Sequence, residues 1–164
     1  MARVLVVYFS LTGHTKQIAE AIAGALHADL DPIADAANRT FSPSHMIWFA
    51  MEAILQQMPQ IHEPRHDPSE YDVVVIGTPV WAGRVAPPVH TYIDRYKAQF
   101  KHLALFCTEG GANGEHALKQ MAELAGFEPK AQLIVTEGEL AAATFAPKVE
   151  AFVKTVAAVP SDLG

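Results

Sequence analysis

Cysteine is almost absent. Cys107 is the only one, so the chain has no intramolecular disulfide and does not require an oxidising compartment. Basic charge is sparse as well: 12 Lys and Arg stand against 18 Asp and Glu, for a formal net charge of −6 and no basic stripe. That balance argues against nucleic acid, whose affinity rests largely on phosphate neutralisation, and against anionic membrane surfaces. No run approaches the roughly 20 apolar residues of a membrane helix. Arg3 followed by residues 4–9 offers a charge and an apolar stretch, but the stretch is too short for a signal peptide and leads into a polar turn at Ser10. The cytoplasm is the expected compartment. The eight histidines form no metal-ligand motif. His62 and His66 are four apart, yet Pro59, Pro64 and Pro68 speak against a helix there, and no metal is expected. No internal repeat or linker divides the 164 residues. They suit one domain, 1–164, able to bury roughly 70% of its unfolded surface.

What is present is an alternation of buried runs and amphipathic segments. Val4-Leu5-Val6-Val7-Tyr8-Phe9 is continuously apolar and β-branched, the pattern of a strand covered on both faces. After a polar turn, Ile18, Ile22 and Leu26 recur at helical spacing. A short strand is expected at 30–33 and a helix over 45–58. Prolines then predict an extended stretch through 59–70. Val73-Val74-Val75-Ile76 is the next buried strand, ended by Gly77. Val89, Tyr92, Ile93 and Tyr96 mark a helix, and residues 103–106 a fourth strand. Leu118, Met121 and Leu124 mark a helix stopped near Gly126. Leu133-Ile134-Val135 is a fifth strand, and Val149, Phe152, Val153 and Val156 a closing helix. The alternation implies a doubly wound α/β sheet with helices on both faces. Ligands of such sheets bind outside the C-terminal ends of the strands, at a topological switch point.

Three loops fall at that edge. The first, Ser10-Leu11-Thr12-Gly13-His14-Thr15, offers three hydroxyls and a glycine before a helix N-terminus. Such a terminus carries unpaired N–H donors and a partial positive charge suited to a phosphate. A simple cap needs only one hydroxyl. The loop lacks the Gly-Lys-Ser/Thr ending of a nucleoside-triphosphate loop. It also lacks the three spaced glycines of the dinucleotide fingerprint. One terminal monoester phosphate fits it best. The second loop, Gly77-Thr78-Pro79-Val80-Trp81-Ala82-Gly83, places a Trp between a valine and small residues. Such a ring can lie against a planar aromatic ligand. The third, Cys107-Thr108-Glu109-Gly110-Gly111-Ala112-Asn113-Gly114, exposes backbone polar groups that can bond a ring's edge. Cys107 itself reads as a buried thiol. Nothing marks a nucleophile or general base, so no catalytic residue is named.

At these residues the chain resembles the flavodoxin family. VLVVYFSLTGHTKQIAEAI looks like its FMN-phosphate signature, YDVVVIGTPVWAGRVAPPV is similar to its flavin-contact segment, and FCTEGGANG matches the third loop. The resemblance spans the whole chain in order. It implies a five-stranded parallel sheet in order 2-1-3-4-5 and one non-covalent FMN. Ser10, Leu11, Thr12, Gly13, His14 and Thr15 would form the phosphate loop. Pro79, Val80, Trp81, Ala82 and Gly83 would contact the isoalloxazine. Thr108, Glu109, Gly110 and Gly111 would border its far side or pyrimidine edge. Electron-carrying flavodoxins usually stack an aromatic of the third loop on the ring; none stands here, which leaves a face open to a nicotinamide or a quinone. The implied function is FMN-dependent redox chemistry. It would be electron transfer with a partner protein, or reduction of a small quinone or flavin acceptor by NAD(P)H, in a monomer or homodimer. The competing reading is a binding module of the same fold without flavin. A receiver domain is rejected, because Ser10-Leu11 and Gly77-Thr78 stand where its acidic residues would be.

Overall fold

The computed structural model describes residues 1–40 and 42–162. Five parallel strands form the sheet in the order β2-β1-β3-β5-β6. They are β1 (Val4–Tyr8), β2 (Asp29–Pro32), β3 (Val73–Trp81), β5 (His102–Glu109) and β6 (Gln132–Thr136). A two-residue strand, β4 (Arg84–Val85), lies off this path and pairs antiparallel with the end of β3. With β4 set aside, the order is the expected 2-1-3-4-5.

The continuous apolar runs are explained by burial on two sides. Leu5 and Val7 of β1, with Val74 and Ile76 of β3, face a core closed by Phe49, Tyr92, Ile93, Leu118 and Met121. These come from α2 (Pro43–Ile54), α3 (Pro87–Tyr96) and α4 (Gly114–Ala125). Val4, Val6, Val73 and Val75 face the opposite core, closed by Ile18, Ile22, Phe152 and Val156 of α1 (His14–Leu26) and α6 (Ala146–Ala157). Alternate residues of each strand thus serve opposite cores. At Gly77 the Phe106 ring of β5 lies over the backbone so closely that a Cβ would sit 2.0 Å from Cζ.

Several boundaries differ from the sequence reading. Strand β3 does not end at Gly77. Pairing with β5 carries it to Pro79, and pairing with β4 extends it to Trp81. Ala82 and Gly83 then turn the chain with φ of 50° and 73°, a two-residue hairpin with both residues left-handed. Likewise β5 continues through Cys107 to Glu109, because β6 pairs with it as far as Glu109 opposite Thr136. So residues 77–81 and 107–109 are strand rather than loop. Helix α2 starts two residues before the expected 45 and stops at Ile54, four before 58. Ser42 caps its start by accepting the His45 N–H, and Gln56, with φ 52°, follows its end. The 59–70 stretch is not uniformly extended: Ile61 bridges Asp35, and Pro68–Glu70 forms a 3-10 turn capped by Asp67. A short helix, α5 (Glu137–Ala141), was not expected. A capping box of Thr136 and Glu139 starts it.

Candidate functional site

The C-terminal ends of β1, β3 and β5 enclose a cleft of about 360 Å³, a size suited to a small-molecule ligand. The turn after β1 contributes Leu11, Thr12, His14 and Thr15. The end of β3 contributes Pro79, Val80 and Trp81, and the end of β5 with its loop Thr108, Gly110 and Gly111. A larger hollow of about 700 Å³ lies beside β6 and α6, near Lys148 and Phe152, away from these strand ends.

One end of the cleft is built for an anion. Gly13 precedes α1 with φ 98°, a conformation natural to glycine. No side chain caps α1, and no acidic residue occupies its first turn. The first helical bond runs from the Gln17 N–H to the Gly13 carbonyl, so the N–H groups of His14, Thr15 and Lys16 lack helical acceptors. The helix dipole adds partial positive charge at that point. The hydroxyls of Thr15 and Thr108 share a hydrogen bond of 2.8 Å, tying the start of α1 to the end of β5. Both residues are buried, at 1% and 4% exposure.

The other end is aromatic and apolar. Trp81 meets Phe9 edge-on, with ring centroids 5.6 Å apart at 89°. It also lies 4.7 Å from the buried Phe49 ring, tilted by 41°. The Arg39 guanidinium sits over the Phe49 ring, 4.1 Å from its centroid. Arg39 is held in turn by Asp35 at 2.7 Å and Glu52 at 3.0 Å. Burial pushes the Asp35 carboxyl up, but the guanidinium and the Ala37 and Arg39 N–H groups outweigh it and hold the carboxyl below its ordinary value. Trp81 is therefore braced from the core while it lines the cleft.

The remaining expected residues shape the cleft without lining it. The Ser10 hydroxyl accepts the Gly13 N–H at 3.1 Å and folds the turn. Ala82 and Gly83 form the hairpin turn, with Gly83 against Asn113. Glu109 is committed to the start of α4, where its carboxylate accepts the Gly114 N–H at 2.6 Å. Cys107 is buried beneath the third loop, and burial with the nearby Glu109 charge pushes its thiol up to about 12.

Two further residues line the cleft: Met46, from the apolar 46–58 segment, which the sequence offered as a cover for the open ring face or a dimer face, and Glu137, which the sequence reading missed. Met46 reaches the cleft from α2, and Glu137 from the start of α5. Glu137 Oε1 lies 3.6 Å from His14 Nδ1, and its carboxylate packs against Gly110, where a Cβ would meet Oε2 at 2.9 Å. The capping box of α5 was the available signal, since it places Glu137 at a helix start beside the sheet edge. No cluster of three or more His, Cys, Asp or Glu suited to a metal occurs among the described residues. No helix among them is long and apolar enough to cross a membrane.

A sheet of this order, with a phosphate-type turn after β1 and an aromatic at the end of β3, defines a flavodoxin-like fold. The family described as flavodoxin matches residues 3–149, and the chain belongs to the flavodoxin family. Among solved structures, it is similar to a flavoprotein from Lactobacillus acidophilus NCFM in complex with FMN. The two share 25% identity over 87% of this chain and 98% of that one, with a TM-score of 0.72. A proposed flavoprotein from Bacteroides eggerthii DSM 20697 matches at 23% identity over 96% and 99% of the two chains, with a TM-score of 0.77. An oxidised flavodoxin from Bacillus cereus matches at 14% identity over 96% and 99%, with a TM-score of 0.57. The last two are likenesses of fold.

Proposed function

We propose that the chain is an FMN-binding flavoprotein of the cytoplasm, and that it acts as a small NAD(P)H-dependent reductase of quinones or flavins, or as an electron carrier to a partner protein. The observation that carries the cofactor is the pairing, in one cleft, of an uncapped helix N-terminus with a braced aromatic face. The N–H groups of His14, Thr15 and Lys16 and the Thr12 hydroxyl would hold the phosphate. Val80 and Trp81 would support the ring, and the backbone of Gly110 and Gly111 would meet its polar edge. FMN, when bound, supplies one- or two-electron chemistry. The residues would orient it, exclude water on the Trp81 side and adjust its potential through nearby charge, with Glu137 the carboxylate that lines the cleft.

The third loop supports the reductase reading over the carrier. Gly110, Gly111 and Ala112 are exposed and carry no ring, so a flat hydride donor or acceptor can approach there. Steady-state assays of the flavin-loaded protein with NADH or NADPH and a quinone test the choice. Turnover that depends on bound FMN is the expected result. FMN binding without turnover would sink the reductase reading and leave the carrier. An otherwise folded protein that takes up no FMN would favour the flavin-free binding module.

A further inference from the structure

Large apolar side chains are exposed almost entirely on one element. Apart from Met1, those exposed among the described residues are Ile47, Trp48, Met51, Ile54, Leu55 and Met58, each between 50% and 68% exposed. Ile47, Trp48, Met51 and Ile54 lie on one helical stripe of α2, and Leu55 and Met58 follow it. The opposite side of the same helix is also apolar: Phe49 and Ala53 are buried against the core. A helix apolar on both sides belongs between two layers, and here only the inner layer is supplied.

We propose that this stripe is the seam of a homodimer, formed by α2 of one copy packing antiparallel on α2 of another. Area is the first argument. Six side chains of this size at this exposure present on the order of 700 Å². That exceeds the usual largest apolar patch of a monomer, about 300–600 Å², and approaches the roughly 800 Å² per partner of a stable interface. Self-complementarity is the second. With the two-fold at Met51, Ile47 faces Leu55, Trp48 faces Ile54, and Met51 faces its own copy, so these five positions each meet an apolar one.

Charge is the third argument, and it selects among occupants. The ionisable side chains of α2 are His45 and Glu52. Glu52 is already engaged by Arg39 at 3.0 Å and by the Trp48 indole N–H at 2.8 Å. The seam therefore brings no unneutralised carboxylates together. A helix that lies on a membrane carries Lys or Arg on its polar face; α2 has neither, and the chain's charge of −6 opposes anionic lipid. A basic protein partner would find no free acid in the stripe.

Sedimentation velocity of the full chain across the micromolar range tests this. A dimer is expected, and Met51→Glu should weaken it about tenfold or more by setting like charges on the two-fold, with the far-UV spectrum and FMN uptake unchanged. As a second variant, Met51→Cys should form an intermolecular disulfide under mild oxidation, while Lys154→Cys on α6 should not; the native Cys107 is buried and stays out of the reaction. A monomer throughout the range would overturn the proposal, as would a dimer indifferent to Met51→Glu. Crosslinking equal at both engineered cysteines would do the same. A monomer that co-sediments with phosphatidylcholine vesicles would overturn it in favour of a lipid surface.

Discussion

Replacing Thr15 by Val removes one member of the 2.8 Å hydroxyl pair that joins the first turn of α1 to the end of β5. The shape of the side chain is kept, so little packing is lost. The Thr108 hydroxyl is then left in a site where its residue is only 4% exposed. A buried donor or acceptor without a partner costs about 1–3 kcal/mol. Thr108→Val should cost a similar amount for the same reason. The double variant removes both polar groups together, and replacement of both partners by apolar groups of the same shape is nearly neutral. Each single variant should therefore melt about 2–12 °C below the parent, at 2–4 °C per kcal/mol for a chain of this size. The double variant should recover most of that loss. Urea denaturation of the flavin-free protein measures all four corners of the cycle. If the double variant loses the sum of the single losses within about 0.5 kcal/mol, the two hydroxyls do not act as a pair and the reasoning fails. The same cycle separates stability from binding. The double variant should be stable yet bind FMN more weakly than the parent, because both residues line the cleft.

Three further outcomes are expected. Gly77→Ala would place a Cβ 2.0 Å from the fully buried Phe106 ring. It should cost about 3 kcal/mol or more, partly restored by Phe106→Leu; an unchanged melting temperature would show that the sheet yields there at no cost. The Cys107 thiol, pushed up to about 12, holds almost no thiolate at neutral pH. Iodoacetamide should label it only on unfolding, and fast stoichiometric labelling of the native protein would refute its burial. The folded Asp35 carboxyl lies below its ordinary value, so its stabilising contribution is complete above about pH 4 and is lost as pH falls through the lower folded value. Asp35→Asn should flatten the acid limb of the stability profile, and superimposable parent and variant profiles would contradict the Arg39 contact as its source.

The parts of the fold legible in the sequence were those with a local cause. The β1 run and the Ile18, Ile22, Leu26 spacing depend on neighbours within a few residues, and Gly126 marks the end of α4 by its left-handed φ of 73°. The parts that were not legible depend on pairing at a distance. Residues 77–81 become strand only because β5 and β4 supply hydrogen-bond partners, and the Ala82-Gly83 turn lacks the Asn-Gly or Asp-Gly signal of such hairpins. Trp81 could be read as a ring at a strand end. Its bracing by Phe9 and Phe49 could not, since those rings arrive from different elements. Glu137 reaches the cleft from a separate element too, so its place was not legible either. Glu109 shows the converse: it stood in the right loop, but the unpaired N–H at the start of α4 claims its carboxylate.

The central claim is that the cleft between Thr15 and Trp81 holds FMN. Absorbance and fluorescence titration of the purified protein with FMN tests it most directly, with Trp81→Ala beside the parent. The account predicts one-to-one uptake with shifted flavin bands and quenched fluorescence. It also predicts affinity lowered about tenfold in the variant, from the lost ring contact of roughly 0.5–1.5 kcal/mol and the burial that goes with it. A folded parent protein that leaves micromolar FMN free, with its spectrum unchanged, would contradict the claim.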